Sequence, residues 1–202
     1  VAGIAVEETN AEALDRQAGN HHHQGVVARC RAAAERNEAD LKNFLTELPG
    51  KPLLLVLDGI QDPHNLGACL RSADAAGAQA VILPRDNSSP ITPVVRKVAS
   101  GAAESLPVFQ VTNLARVLDE LKAAGVWLAG AAGEAEQELY DVDLRGPTAL
   151  VLCAEGTGLR RLTRDKCDYL VRIPMAGTVE SLNVSVAAGI CLFKAVRQRR
   201  KG

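Results

Sequence analysis

The feature that most constrains the fold is a regular alternation of short apolar runs and helical segments from Lys51 onward. The apolar runs read LLLVLDG, QAVILP, LPVFQV, VWLAGA, TALVLC and YLVRIP. Runs of this kind are typical of strands that are buried on both faces, with helices covering a parallel sheet. The sequence therefore predicts an α/β fold with a mostly parallel sheet. A ligand site is expected at the carboxyl ends of the strands.

Capping residues and apolar spacing place the helices between these strands. Thr92 followed by Pro93 is typical of a helix start, and Asn113 is expected to cap a helix whose apolar face carries Leu114, Val117, Leu118 and Leu121. Further helices are expected from about Leu66 to Ala76 and from near Ser181 to Arg199. On the last helix one face carries Leu182, Val186, Ile190, Phe193 and Val196, of which the first two are expected to face the core.

The first 50 residues differ from the rest. They hold 8 acidic and 5 basic residues, a balance of −3, whereas residues 51–202 hold 16 and 18, a balance of +2. Their two strand-like runs (VAGIAV and VVARC) and one helix pattern capped by Asn10 are too few to close a core. We therefore expect Val1 to lie partway through an N-terminal domain. The predicted organisation is the end of that domain in residues 1–30, a linker and connecting helix in 31–50, and the main domain in 51–202.

Composition excludes several classes of protein. Apolar residues make up 47% of the chain, enough to bury a core, and no apolar run approaches the roughly 20 residues that span a bilayer. The N-terminus carries no pattern of a secretory signal, so a cytoplasmic protein away from membranes is expected. Five scattered cysteines without a CxxC pair argue against a disulfide framework or a zinc site. Aromatic residues, at 3%, are too few for a base-stacking platform.

Three consecutive histidines, His21–His23, raise the question of a metal site. They lie in a polar loop with no acidic or cysteine partner at ligand spacing, so no metal is predicted there. An alternative interpretation places them at the border of a bound RNA.

The segment DPHNLGACLRSADAAG, residues 62–77, follows the first strand. Asn65 lies where the loop enters a helix, and Arg71 follows the core-facing Leu70 and so points away from the core. A strand, a polar turn and a projecting arginine suit a phosphate or a developing oxyanion. Equally, Asn65 could cap the helix and Arg71 could be a solvated surface cation.

The segment LVLCAEGTGLRRL, residues 150–162, ends a strand in a loop with Glu155 and Gly156. Glu155 could bind a ligand hydroxyl or orient an arginine, or it could merely cap a helix after a glycine-rich turn. Arg160 and Arg161, with Arg164 just beyond them, form a local basic patch. The glycine spacing matches neither a dinucleotide-binding nor a phosphate-loop pattern.

The segment IPMAGTVESLNVSVAAGICLFKAVRQR, residues 173–199, leads from a strand into the last helix. Ser181, Asn183 and Ser185 lie in its first turn, and capping explains only one of the three. The basic end of the chain, residues 197–201, is either a solvated tail or a contact for RNA phosphates.

Together the three segments resemble the three motifs of the SpoU-type (TrmH-like) RNA ribose 2′-O-methyltransferases, in the same order. VAGIAVEE and HQGVVAR are similar to the end of the small N-terminal substrate-binding domain of that family. The resemblance implies a Rossmann-like sheet with a C-terminal trefoil knot, which general topology rules would reject, and the remnant of a small N-terminal α/β RNA-binding domain. It also implies a homodimer with active sites at its interface.

The resemblance further implies S-adenosylmethionine as cofactor, bound in the knot loops without a metal. The implied substrate is a guanosine ribose of 23S rRNA, either naked or in a ribosome assembly intermediate. Residues that match the polar set of the motifs are Asn65, Arg71, Glu155, Ser181 and Asn183. Residues that match the cofactor loops are Gly133, Cys153, Gly156, Ile173, Met175 and Leu182. Cys153 stands where members of the family typically have glycine, so the detail of the pocket stays open.

The expected chemistry is in-line transfer of a methyl group from sulfur to a ribose 2′-oxygen. Arg71 is expected to stabilise the developing oxyanion; a role as proton acceptor is the alternative, although a guanidinium holds its proton tightly. Three other functions stay open. The RNA could be tRNA, the protein could be a catalytically silent RNA-binding module, or it could be a small-molecule α/β enzyme.

Overall fold

The computed structural model describes residues 5–19, 21, 23–29, 36–48, 50–153 and 158–200. The chain divides into two compact units, Val1–Ala34 and Glu35–Gly202. Within these described residues, no helix has the length and apolar character needed to cross a membrane.

The larger unit is built around one parallel sheet. The strands in its described part are β1 Leu53–Asp58, β2 Ala80–Pro84, β3 Val108–Val111, β4 Trp127–Ala131, β5 Gln137–Glu138, β6 Thr148–Cys153 and β7 Tyr169–Arg172. The described helices are α1 Ala11–Ala18 in the smaller unit, and α2 Glu38–Glu47, α3 Pro63–Ala75, α4 Pro93–Ala99, α5 Ala102–Ser105, α6 Leu114–Ala123, α7 Arg161–Lys166 and α8 Val184–Arg199 in the larger one. The strand order is β3-β2-β1-β6-β4-β7-β5, and every neighbouring pair is parallel. The predicted parallel α/β fold is confirmed.

Strand β1 shows why the apolar runs are unbroken. Its odd-numbered residues Leu53, Leu55 and Leu57 pack into a cluster with α3 and α8 on one face of the sheet. Leu54 and Val56 pack on the other face, in a cluster with α6. Because successive side chains of a strand point to opposite faces, burial on both sides requires an apolar residue at every position.

Two predicted helix starts are confirmed. The Thr92 side chain accepts a hydrogen bond from the Val95 N–H, with Pro93 as the first residue of α4. The Asn113 side chain accepts one from the Arg116 N–H at the start of α6. The predicted core face of α6 is buried as expected: Leu114, Val117, Leu118 and Leu121.

The predicted orientation of the last helix is wrong. Helix α8 begins at Val184 and not near Ser181, because Asn183 caps it by accepting a hydrogen bond from the Ser185 N–H. Val186, expected in the core, is 50% exposed, and Phe193 on the same face is 49% exposed. Leu182 precedes the helix and is only partly buried. The buried residues of α8 are Val184, Ala188, Cys191, Leu192 and Ala195.

Helix α8 packs against α3. A Cβ atom at Gly189 would lie in ordinary van der Waals contact with α3, 3.9 Å from the Ser72 Oγ. The face that packs inward carries Ala188 and Leu192, both fully buried, so Val186 and Phe193 are left at the surface.

In the smaller unit the predicted cap of α1 is confirmed, since the Asn10 side chain accepts a hydrogen bond from the Ala13 N–H. The two strand-like runs differ from expectation. Residues 5–6 and 26–29 lie outside any strand, and the remainder of each run lies outside the described residues. Val6 and Val26 are largely exposed, because the described part of this unit offers no neighbouring strand to pair with them.

The histidine loop has an acidic partner that the sequence spacing did not reveal. The carboxylate of Asp15 on α1 lies 2.9 Å from His21 Nδ1 and 3.0 Å from His23 Nε2. The Gly25 N–H donates to His23 Nδ1, so the Nε2 atom of His23 carries the proton that Asp15 accepts. His22 lies outside the described residues. Among the residues that are described, no group of three metal-ligating side chains converges.

The segment from Arg36 to α2 attaches to the outer edge of the sheet. Arg36 forms a parallel bridge with Phe109 of β3. Glu38 then binds the start of α6: its Oε1 accepts hydrogen bonds from the N–H groups of Thr112 and Asn113 at 2.8 and 2.9 Å, and its other oxygen pairs with Arg116. The Asn113 N–H is the main cause of a pKa below the usual value of the Glu38 carboxyl.

This lowered pKa predicts a pH-dependent contribution to stability. The ionised Glu38 carboxylate stabilises the fold above its unfolded pKa, near 4.5, and the contribution is lost as the pH falls through the lower folded pKa. We expect Glu38→Gln to reduce the free energy of unfolding by about 1 kcal/mol at neutral pH, with the difference from wild type vanishing in acid. Urea unfolding at a series of pH values measures this. Glu47→Gln, at an exposed position of α2, is the control; a Glu38→Gln deficit that persists unchanged in acid would contradict the expectation.

Candidate active site

A cleft of about 640 Å³ opens at the carboxyl ends of β4, β6 and β7. This volume lies in the range of sites that bind small molecules. The structure brings five of the six predicted cofactor residues together in its lining: Gly133, Cys153, Ile173, Met175 and Leu182. Ser181, predicted in the catalytic set, lines it too. Gly156 lies outside the described residues.

Each wall of the cleft comes from a strand end. Gly133 follows β4, and Cys153 is the last residue of β6. Ile173 and Met175 continue the chain beyond β7, and residues 177–182 complete that side before α8 begins. The lining combines apolar residues and glycines with polar and charged residues, namely Glu138, Arg172, Thr178, Glu180 and Ser181.

One ion pair in the lining, between Arg172 and Glu138, was not predicted. Arg172, at the end of β7, donates hydrogen bonds to the Ala135 carbonyl at 3.2 Å and to Glu138 Oε1 at 3.3 Å. Both Arg172 and Glu138 face the cleft. The sequence did contain a signal for Arg172, because this residue comes at the end of the apolar run of a predicted strand, where site residues are expected.

The thiol of Cys153 is not a nucleophile. Burial, reinforced by the nearby Asp58 carboxylate, raises the pKa of Cys153 to about 11. The thiol is therefore neutral at physiological pH and acts as part of the apolar wall.

Asn65 and Asn183 meet although they are 118 residues apart in the chain. The Asn183 Nδ2 donates to Asn65 Oδ1 at 2.9 Å, and the Asn183 Oδ1 accepts from the Ser185 N–H and hydroxyl. The first and third sequence segments are thus joined by one hydrogen bond at the start of α8.

Asn65 is not the cap of α3, so that alternative is wrong. Asp62 caps the helix by accepting from the N–H groups of His64 and Asn65, with Pro63 as the first helical residue. The side chain of Asn65 is thereby left to bind Asn183. Proline at the first helical position explains why the helix starts earlier than the predicted Leu66.

Arg71 projects from α3 as predicted. Leu70 is fully buried and Arg71 is exposed. In the part of the chain that is described, the Arg71 side chain makes neither a hydrogen bond nor an ion pair. Ser72, the next residue, lies against Gly189 of α8. Arg71 therefore offers its guanidinium to an external ligand next to the contact between α3 and α8. Glu155, the remaining predicted catalytic residue, lies outside the described residues.

A parallel sheet with a cleft at its carboxyl edge, bordered by polar residues from two joined segments, is the arrangement that the sequence motifs led us to expect, and comparison with known families agrees. The chain belongs to the SpoU rRNA methylase family, whose model matches residues 52–193. A second model, described as RNA 2′-O ribose methyltransferase substrate binding, matches residues 1–36.

Individual relatives share most of the chain. It is 59% identical over 198 residues to the 23S rRNA (guanosine-2′-O-)-methyltransferase RlmB of Shewanella oneidensis, covering 98% of this chain and 80% of the relative. It is 63% identical over 177 residues to the protein of the same name from Pseudomonas syringae pv. tomato, covering 88% and 71%.

Among solved structures, the chain is similar to the SpoU methyltransferase AviRb of Streptomyces viridochromogenes in complex with AdoMet. The TM-score is 0.73 at 33% sequence identity. The similarity covers 77% of this chain and 64% of AviRb. The chain thus spans less than two thirds of the length of that solved protein.

Proposed function

We propose that this protein transfers a methyl group from S-adenosylmethionine to the 2′-oxygen of a guanosine ribose in 23S rRNA, in the bacterial cytoplasm. The observation that carries the proposal is the Asn65–Asn183 hydrogen bond, which joins two of the three polar segments beside the cleft. Identity of 59–63% to relatives named for this activity supports the choice of substrate.

The residues of the cleft fit S-adenosylmethionine. Apolar side chains such as Leu182 and Ile173 can enclose the adenine. Gly133 has no side chain, and no protein atom lies within 4 Å of the place where its Cβ atom would stand, so a ligand can come close to its backbone. When bound, S-adenosylmethionine supplies a methyl group on a positively charged sulfur. No metal is needed for in-line transfer, and alignment of the reacting atoms can supply on the order of 7–11 kcal/mol.

Arg71 stabilises the charge that develops on the 2′-oxygen in this proposal. Its guanidinium is exposed and unengaged in the described part of the chain, so its donors are available to an oxyanion or to the adjacent phosphate. Proton acceptance by Arg71 is the less favoured alternative. Asn65 and Asn183 position the ribose together with Ser181, and Glu155 orients Arg71 or Asn65.

The N-terminal unit selects the RNA in this proposal. The match of residues 1–36 to the substrate-binding model supports such a role. We propose that residues 1–30 end this domain, that residues 31–50 connect it, and that residues 51–202 form the catalytic domain. A tRNA substrate and a catalytically silent RNA-binding protein are the alternatives. The high identity to relatives named for 23S rRNA disfavours the first. The presence of the whole polar set of the motifs, Asn65, Arg71, Glu155 and Asn183, disfavours the second.

We also propose a trefoil knot at the C-terminal end and a homodimer with active sites at its interface. Two exposed apolar side chains of α8, Val186 and Phe193, support the dimer, because a monomer gains nothing from exposing them. Val186 is close to the cleft in the chain, since Leu182 and Ala187 of the same segment line it.

A charge placed at either of these two positions is expected to separate the protomers. Val186→Glu and Phe193→Glu should each raise the dimer dissociation constant by at least roughly thirtyfold, as for central interface residues. Sedimentation equilibrium measures the mass. Val94→Glu, at an exposed apolar position on α4, is the matched control. A mass that none of the three changes alters would contradict the assignment of α8 to the interface.

Methyl transfer from labelled S-adenosylmethionine to 23S rRNA, with tRNA in parallel, tests the proposed function. Label in 23S rRNA supports it. Label in tRNA alone assigns the chemistry to another substrate. Label in neither RNA, with no binding of S-adenosylmethionine by calorimetry, favours the silent RNA-binding protein.

A further inference from the structure

Asp58 ends β1 with an almost fully buried carboxylate, its side chain 1% exposed. One oxygen, Oδ2, accepts a hydrogen bond of 2.7 Å from the Thr163 hydroxyl of α7. The other, Oδ1, has no hydrogen-bond partner among the described residues. A buried charge of this kind needs a compensating group, and the nearest is the guanidinium of Arg160, with Nε at 3.6 Å from Oδ1.

This ion pair leaves hydrogen-bond donors of Arg160 available to a ligand. The distance of 3.6 Å is longer than a hydrogen bond, and the Arg160 side chain is 52% exposed. Its Nη2 lies over the backbone of Gly59, 3.4 Å from where a Cβ atom would stand. The contacts with Asp58 and with Gly59 thus place the guanidinium against the end of β1, while about half of the Arg160 side chain stays exposed.

The site adjoins the cleft. Asp58 lies opposite Cys153 in the register of β1 and β6, and Cys153 lines the cleft, as does Gly158 two residues before Arg160. Beyond Gly59 the chain continues to Asp62, which caps the helix that carries Asn65 and Arg71. The Arg160 guanidinium thus lies at the end of β1, close in the sheet to Cys153 and close in the chain to Gly158, both of which line the cleft.

We propose that Arg160 binds a phosphate of the RNA backbone next to the modified nucleotide, and that Asp58 is its positioning residue. The proposal rests on the proposed RNA methyltransferase function. A guanidinium whose Nε side faces the Asp58 carboxylate can present its other donors as a fork that suits phosphate oxygens. The neighbouring cations differ: Arg164 pairs with Glu134, and Arg161, 93% exposed, lies 3.9 Å from Asp165 without a buried anchor.

The test compares binding of 23S rRNA transcript to wild type, Arg160→Gln, Arg160→Lys and the control Arg161→Gln over a series of KCl concentrations. Loss of one phosphate contact lowers the slope of log affinity against log salt by about 0.7–0.9. We expect this change, with roughly tenfold weaker binding, for Arg160→Gln alone. Arg160→Lys, which keeps the charge next to Asp58, retains the slope but binds more weakly than wild type. The affinity for S-adenosylmethionine, measured by calorimetry, stays at the wild-type value in all three variants.

The positioning role of Asp58 is tested by asking whether the effect of Asp58→Asn on RNA affinity requires Arg160. We expect Asp58→Asn to weaken RNA binding severalfold in the wild-type background and to have no further effect in the Arg160→Gln background. The double variant has no uncompensated buried charge, so it keeps the measurement independent of stability. An equal effect of Asp58→Asn in both backgrounds would overturn its positioning role.

Other results overturn the phosphate assignment. If Arg160→Gln leaves the salt dependence of RNA affinity unchanged, Arg160 does not bind a phosphate. If Arg161→Gln lowers the slope as much as Arg160→Gln does, the RNA is attracted by the positive charge of α7 in general and not by Arg160. A loss of cofactor affinity in Arg160→Gln with unchanged RNA slope would assign the guanidinium to the carboxylate of S-adenosylmethionine. Failure of the proposed function is distinct, because then wild type itself methylates no guanosine in 23S rRNA.

Discussion

Replacing Arg71 with alanine is expected to lower the rate of methyl transfer by roughly a hundred- to a thousandfold, the usual cost of removing one oxyanion-stabilising donor. The reason is that, in the proposed mechanism, the exposed Arg71 guanidinium supplies positive charge where the 2′-oxygen becomes negative. Affinity for S-adenosylmethionine should stay near the wild-type value, since Arg71 does not line the cleft. Single-turnover transfer to 23S rRNA and calorimetry with the cofactor give the two quantities.

Two further variants sharpen this result. Arg71→Lys keeps the positive charge and loses the forked donor geometry, so its rate should fall between wild type and alanine. Lys97→Ala removes an exposed cation of α4 and should leave the rate unchanged. If Arg71→Ala lowered cofactor affinity as much as it lowered the rate, the assignment of Arg71 to the transition state would be wrong.

Enlarging Gly133 is expected to block the cofactor. A Cβ atom there meets nothing within 4 Å, so the backbone tolerates a side chain, but the added group must share the cleft with the ligand. We expect Gly133→Leu to weaken S-adenosylmethionine binding by roughly 5- to 150-fold, which corresponds to about 1–3 kcal/mol of overpacking. Calorimetric titration measures the affinity.

Gly146→Leu is the matched control for this variant. Gly146 also has open space around its Cβ position, and it does not line the cleft. Both variants should unfold at temperatures close to that of wild type. If a folded Gly133→Leu protein bound S-adenosylmethionine with wild-type affinity, the cofactor site would have to lie outside this cleft.

The parallel sheet was predictable because its signals are local, whereas the cleft residues were predicted only through the resemblance to the motifs of the family. An apolar run such as Leu53–Asp58 reports burial on both faces, and the ends of parallel strands meet at one edge. Gly133, Cys153 and Ile173 follow three different strands, and the structure places all three around one cleft. Capping residues such as Asn113 act within one helical turn and were equally readable.

The orientation of α8 was not predictable from its spacing. The helix carries a large apolar face with Val186 and Phe193 and a second face of smaller residues around Ala188. Periodicity shows that an apolar face exists but not which face meets the neighbouring helix. The neighbouring helix is α3, which lies more than 100 residues earlier in the chain, so no local pattern reports this contact.

Long-range polar pairs were also beyond the sequence. Asn65 looked like a cap, and only the fold shows that Asp62 caps α3 while Asn65 binds Asn183. The buried carboxylate of Asp58 looked like the end of an apolar strand. Its partners, Arg160 and Thr163, follow about 100 residues later. Such contacts depend on which strands become neighbours, and local patterns do not encode that.

The measurement that tests the central claim most directly is the position of the methyl group. A 2′-O-methylated ribose resists alkaline cleavage, because the 2′-hydroxyl is the nucleophile of that reaction. Wild-type protein is incubated with 23S rRNA and labelled S-adenosylmethionine, and the RNA is then hydrolysed in alkali and mapped. We expect label in an alkali-resistant dinucleotide at a single guanosine, and no label when the Arg71→Ala variant is incubated for the same time. Label on a base, on several unrelated nucleotides or only in tRNA would contradict it.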